Sequence, residues 1–246
     1  MKNAEEGCVI LYGRGAELGD FGVFAQHLAK SLETTFPRER MLVQSIERKK
    51  DFFDFFSKTV KGKFKIKQLH VFSHAYGAAL SLGYHDPDIG RHRVAVAAEY
   101  DEKKNRIPME KVLATEVGTI FTDDLLTQLL SVKQTVRNTF ASKGTSIKLW
   151  GCNAGVANWV YSDSEGTYYW RALNTKNTPK PSIAQGIATF FNVETYGALS
   201  GSHVEVKVGG RWITSDVYKL KHGKYPPPSI QTRLHPDKGD YVKFKP

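Results

Sequence analysis

The sequence predicts an α/β fold: a mostly parallel sheet flanked by helices, with a C-terminal hairpin and a basic tail. Three observations predict it. Short, largely apolar runs (Cys8-Val9-Ile10-Leu11-Tyr12, Leu69–Phe72, Ile147–Trp150) have the look of buried strands. Patterns with helical periodicity stand between such runs. Small, turn-forming residues follow the strand ends, as in Gly151-Cys152-Asn153-Ala154-Gly155, and the carboxyl ends of strands are where α/β proteins keep their chemistry.

Taken in order, Cys8 to Tyr12 is a first, buried strand. The turn Gly13-Arg14-Gly15-Ala16-Glu17-Leu18-Gly19 leads to a helix from about Phe21 to Thr34, with Phe24, Leu28 and Leu32 on one face. Arg40 to Glu47 is a second strand. Lys50 to Val60 is an amphipathic helix whose phenylalanines (Phe52, Phe53, Phe55, Phe56) read as core. The next strand ends at His74, and Ala78–Gly83 forms a hairpin or short strand. A polar loop spans His85 to Arg93, and Val94 to Tyr100 is strand-like. Thr122-Asp123-Asp124 caps a long helix reaching about Ser142, with Lys143-Gly144 as its stop. The Cys152 strand follows. Asn158 to Pro181 reads as an irregular, aromatic loop (Trp159, Tyr161, Tyr168, Tyr169, Trp170), a fit wall for a substrate. Ser182 caps a helix to Phe191, Val193–Ala198 is a strand, and His203 to Ile213 is a hairpin turning at Gly209-Gly210. After Tyr218 the chain is basic and interrupted by Pro226-Pro227-Pro228, so it reads as extended. There is no internal repeat. The division is one α/β domain over residues 1–217 and a basic, proline-containing extension over 218–246.

With 246 residues, 41% hydrophobic and 24% charged, the chain is long enough for one sizeable core. No apolar run approaches the ~18–20 residues of a membrane span. The first residues are polar and acidic, without the apolar centre of a Sec signal peptide. The expectation is a cytoplasmic protein, or one secreted by a signal-peptide-independent route. Cys8 and Cys152 then read as free thiols, and no repeated CxxC or Cys/His spacing points to zinc. The net charge of +10 and a pI near 9.4 allow an acidic partner. Arg48–Lys67 carries eight Lys/Arg against two Asp, and His203–Pro246 nine against four acids. Solvated basic faces are the usual explanation of such runs, and nucleic acid is not favoured.

The residues with chemistry to offer end strands. Cys152 closes Ser146-Ile147-Lys148-Leu149-Trp150-Gly151, and His74 closes Gln68-Leu69-His70-Val71-Phe72-Ser73. Two strands of one parallel sheet bring them to the same edge. A thiol and a distant histidine that meet only in the fold are the ingredients of a nucleophile and its proton carrier. Each also has a plainer reading, as a small buried hydrophobe and a satisfied structural imidazole. His70 shares the strand face of His74 but lies deeper and reads as packed. Ser73 and Tyr76 do not make a serine hydrolase: with Gly77 as the last glycine of a GxSxG elbow, the nucleophile position holds Ala75. Gly13–Gly19 with Glu47 superficially matches a dinucleotide fingerprint. Its spacing is GxGxxxG, however, and Glu17 and Asp20 stand where a pyrophosphate would approach.

The Ser73-His74 strand end with Gly77 and Leu82-Gly83 behind it, then the strand ending Gly151-Cys152-Asn153, resembles the caspase–gingipain–legumain superfamily of cysteine peptidases. The similarity is greatest to bacterial branches, including the self-cleaving domains of RTX toxins. The helix around Ala184-Gln185-Gly186-Ile187-Ala188 and the strand Tyr196-Gly197-Ala198 extend it, so that it covers roughly Cys8 to Val206. The resemblance implies a caspase-like three-layer fold and endopeptidase activity by acyl transfer, with action as an exported effector or toxin as a further expectation. It implies Cys152 as nucleophile, His74 as acid/base, and the backbone N–H groups of Ala75 and Cys152 as the oxyanion hole. Position 75 is usually glycine in the family. The Gln-Ala-Cys signature of caspases is absent, so no preference for aspartate is implied. No cofactor and no metal is implied, and the partner is a protein or peptide substrate. Asp123, Asp124, Arg91 and the aromatic loop are candidates for the specificity pocket. By the same resemblance, an inositol polyphosphate could bind a basic region. Two rival readings stand beside this one: a non-catalytic binding module of the same fold, with Ala75 marking a decayed site, and a dinucleotide-binding protein.

Overall fold

The computed structural model describes residues 5–14, 21–83, 118–157, 159–162, 167–170, 181–224, 226–227, 229–236 and 239–246. The first strand, β1 (Glu6–Tyr12), buries Cys8 through Leu11 completely, as an apolar run between two covered faces must. Helix α1 (Phe21–Leu32) leads to β2 (Met41–Ser45), parallel to β1. Helix α2 (Lys49–Asp54) continues as a π-helical turn over Phe55–Val60 and buries Phe52, Phe55 and Phe56 as core. β3 (Lys65–Phe72) pairs parallel to β1 on its other side.

β4 (His74–Tyr76), β5 (Ala79–Ser81) and β6 (Thr119–Phe121) form a small antiparallel sheet beyond the end of β3. Helices α3 (Thr122–Thr127) and α4 (Leu130–Arg137) then stand where the sequence predicts one long helix to about Ser142. The break follows extended backbone at Gln128 and Leu129. Side chains of Thr127 and Gln128 take the Asp124 carbonyl at 3.1 and 3.3 Å, as terminating residues do. β7 (Ser146–Leu149) pairs parallel to β3. In the stretch read as irregular, β8 (Trp159–Ser162) and β9 (Thr167–Trp170) pair antiparallel. Ser182 caps α5 (Ile183–Phe191) through the Gln185 N–H at 3.1 Å, and β10 (Glu194–Gly197) joins β7 in parallel.

β11 (Ser202–Val208) and β12 (Arg211–Thr214) make the expected hairpin. The chain after Tyr218 is more structured than an extended tail. Helix α6 (Ser215–His222) precedes β13 (Thr232–Pro236), which pairs with β11, and β14 (Val242–Phe244), which pairs antiparallel with β10. The protein is therefore α/β, with a mostly parallel six-stranded sheet in the order β14-β10-β7-β3-β1-β2 and smaller antiparallel sheets. The strand-like run 94–100 and the polar loop 85–93 lie outside the described residues.

Alternation along the strands sorts side chains to the two faces. Val9, Leu11, Leu69, Val71, Ile147 and Leu149 pack with the helices of one face, where Phe56, Val136, Ile187 and Phe191 close the core. Cys8, Ile10 and Phe72 point the other way, against Phe21, Phe24 and Ala25 of α1 and Leu234 of β13. Trp150 and Val204 pack on that second cluster.

Candidate active site

The register of β3 and β7 positions the site. Val71 is opposite Leu149, and the Trp150 N–H continues the ladder to the Val71 carbonyl at 2.9 Å. His74 stands as far beyond Val71 as Cys152 stands beyond Leu149. Both leave the sheet at the same carboxyl edge. The tips touch through Gly151: a Cβ there would lie 2.5 Å from the Ala75 methyl and 2.6 Å from the Ser73 carbonyl oxygen. Only glycine lets the two backbones approach so closely.

Cys152 is half-buried and free. Asn153 takes a left-handed conformation (φ 56°), which asparagine tolerates better than most residues. The loop is tied to the β10–β11 connection: Asn153 N–H donates to the Ser200 carbonyl at 2.9 Å and Gly155 N–H to the Ala198 carbonyl at 2.8 Å. Ser202 N–H donates to Cys152 Sγ at 3.2 Å. That N–H is a fixed backbone donor aimed at the sulfur. Burial, opposed in part by its neighbours, keeps the nearby Tyr241 phenol well above its ordinary range, and the charge of Cys152 adds to the rise.

His74 is half-buried with its ring against the edge of Phe21 (5.1 Å, 66°). That burial lowers its pKa, so the imidazole is neutral and able to accept a proton at neutral pH. Ala75 is buried in β4 opposite Leu80, and its φ is not left-handed. Alanine therefore sits there without the backbone strain that a glycine-specific conformation would impose.

Beneath the edge, the second face carries a polar and aromatic stack. Trp150 lies flat on Phe72 (5.1 Å, 7°) and donates its Nε1–H to His70 Nδ1 at 3.3 Å. His70 is therefore an acceptor at Nδ1, and its Nε2–H faces Gln68 Oε1 at 3.3 Å. Burial, then the charge of Lys148, pushes His70 down to about 3. It is a packed, neutral imidazole, as its depth in the strand predicts. Lys148 Nζ lies 3.8 Å from the Trp150 ring centre and 4.0 Å from that of Tyr241. Burial lowers that ammonium to about 8, with the Arg233 charge acting in the same direction.

Other candidates fall elsewhere. Asp124 is committed to structure: it pairs with buried Lys49 at 2.8 Å and accepts the Phe121 N–H at 2.8 Å. The Asp123 side chain, Arg91 and the aromatic side chains of the 158–181 stretch lie outside what is described. So do Gly15 to Asp20 of the glycine-rich turn. Its first glycine has a packing reason, because a Cβ at Gly13 would meet the Leu82 carbonyl oxygen at 2.7 Å. Lys61, Lys63 and Lys65 line an open cleft with Thr135 and Asn138, at the amino end of β3 and so opposite the Cys152 edge. Among the described residues, no helix is long and apolar enough to cross a membrane.

Two groups escape sequence reasoning. Gly151 and Ser202 matter through backbone contacts that no residue pattern encodes. His203, Glu205 and His235 form a cluster whose third member comes from a different strand, so metal-ligand spacing has nothing to detect. No protein-family model matches the chain, and no curated protein sequence matches it.

Proposed function

We propose that the protein is a caspase-like cysteine peptidase of bacterial type, with Cys152 as nucleophile and His74 as proton carrier. The observation that carries this reading is the contact at Gly151, which sets the backbones of the two residues side by side at one sheet edge. The Ser202 N–H on Sγ and the neutral state of His74 add support. In the proposed reaction Sγ attacks the scissile carbonyl carbon while His74 takes the thiol proton. The imidazolium then gives that proton to the leaving amine, leaving a thioester, which water hydrolyses with His74 as base. The N–H groups of Cys152 and Ala75 are the proposed donors to the oxyanion. Action as an exported effector or toxin belongs to the same proposal.

The test needs no known substrate. Native protein is alkylated with limiting iodoacetamide across pH 5–9, and Cys152 and Cys8 are followed separately by peptide mass spectrometry. Cys8 is fully buried, and burial pushes its thiol up to about 12, so it is the internal reference. Expected is rapid labelling of Cys152 at pH 6–7, slowed at least tenfold by His74→Ala. Because burial depresses the His74 pKa, the histidine-dependent rate persists below pH 6.5, the ordinary midpoint of about that value, and is lost only as the imidazole protonates. Slow labelling independent of His74 would leave a binding module of the same fold as the better reading.

A further inference from the structure

His203 of β11 stands directly opposite His235 of β13, and Glu205 lies on the same face of β11. One ligand atom from each residue lies within 4.8 Å of the others, and all three residues are half-buried. His235 Nδ1 donates to the Pro236 carbonyl at 2.9 Å, which leaves the Nε2 lone pair free. A backbone carbonyl on the far nitrogen is the usual way a metal-binding histidine is oriented. His203 Nε2 and Glu205 Oε1 are 3.4 Å apart. Tetrahedral zinc, with nitrogen and oxygen ligands at ~2.0–2.1 Å, holds its donors about 3.3 Å apart. The remaining oxygen, Glu205 Oε2, accepts from Arg233 Nε at 2.6 Å. That bond fixes the carboxylate and leaves Oε1 for a ligand.

We infer that His203, Glu205 and His235 form a zinc site that staples β11 to β13, with water in the fourth position. Two imidazoles and one carboxylate suit zinc far better than calcium or magnesium, which prefer oxygen. Zinc replaces the hydrogen bond between His203 and Glu205, and the His203 proton moves to Nδ1 or to solvent. The staple stands one residue from Ser202, whose N–H reaches Cys152 Sγ and which pairs across the strands with Pro236.

Metal-free Cys152→Ala protein, which has no thiol to compete at the sheet edge, is titrated with zinc against a chromophoric chelator. One zinc per chain is expected, bound at least tenfold more weakly in Glu205→Gln and in His235→Asn. Glutamine keeps an oxygen for Arg233, and asparagine keeps a donor for the Pro236 carbonyl, while each removes one ligand. Thermal unfolding of both variants without metal separates loss of a ligand from loss of the fold. Unchanged affinity in either variant, or no zinc retained against the chelator, overturns the site.

Discussion

A methyl group at position 151 has nowhere to go. Its nearest neighbours would be the Ala75 methyl at 2.5 Å, the Ser73 carbonyl oxygen at 2.6 Å and the Ala75 nitrogen at 2.9 Å. Two of the three are backbone atoms of the segment that carries His74, so relief requires the two strand tips to part. Gly151→Ala should lower stability by about 1–3 kcal/mol, the ordinary range for overpacking, as read by urea unfolding. It should also slow Cys152 alkylation to the rate of His74→Ala. Labelling at the wild-type rate would mean that the contact does not set the pair. His74 and Cys152 are legible in the sequence because each ends an apolar run, and strand ends are where side chains become available. Gly151 is legible only as a turn residue, since its partner is a distant backbone. The donor on Sγ is the N–H of Ser202, a group every residue but proline carries, so no side chain announces it.

Elements were legible where burial on both faces leaves no polar alternation. β1 is such a run, whereas β3 and β7 alternate and bury Leu69, Val71, Ile147 and Leu149 at every second position, and β10 ends in a small residue, Gly197, against which the Ala184 methyl of α5 packs. The division of α3 from α4 was not legible. Leu126, Leu129 and Leu130 continue an apolar pattern through the break, yet they are 66%, 71% and 77% exposed. No proline or glycine marks the end, which is made by side chains returning to the Asp124 carbonyl. Besides Leu125 in the core, a buried ion pair holds α3: Lys49 at the start of α2 meets Asp124 at 2.8 Å, their side chains only 2% and 9% exposed. Burial lowers the Lys49 pKa and the Asp124 charge opposes that shift. Removing one charge strands the other away from water, which costs about 3–5 kcal/mol. Lys49→Met should cost that much in urea unfolding. Lys50→Met, at an exposed pair with Asp54 (2.6 Å, lysine 49% exposed), should cost less than about 1 kcal/mol. Equal costs would show that burial is not what makes the Lys49 pair matter.

Across the whole molecule, the end of the chain closes both sides of the sheet. Thr232 N–H donates to His27 Nδ1 at 3.1 Å, which ties β13 to α1, and Leu234 enters the core between them. β14 then adds the antiparallel strand to β10. Phe244 lies against Gly155, where a Cβ would meet its ring at 2.9 Å, and Gln185 Nε2 of α5 donates to the Lys245 carbonyl at 2.7 Å. None of this shows in a segment whose lysines and prolines suggest a solvated tail, because its few apolar residues are spaced for contact with different elements. Removal of residues 241–246 leaves the five parallel strands intact, so the protein should still fold. It takes away Phe244 and the Tyr241 ring that covers Lys148 and meets Trp150 at 5.5 Å. Loss of a single well-packed aromatic costs about 3 kcal/mol or more, and the truncated protein should lose at least that. Because Phe244 backs Gly155 in the loop that holds Cys152, the loss should be felt at the site. Hydrogen exchange should quicken at Asn153 and Gly155, whose N–H groups bond to Ser200 and Ala198, well before it quickens in β1. Faster exchange confined to β10 would limit β14 to shielding a sheet edge. Exchange that quickens in the Cys152 loop as well would make the C-terminal strand a support for the thiol.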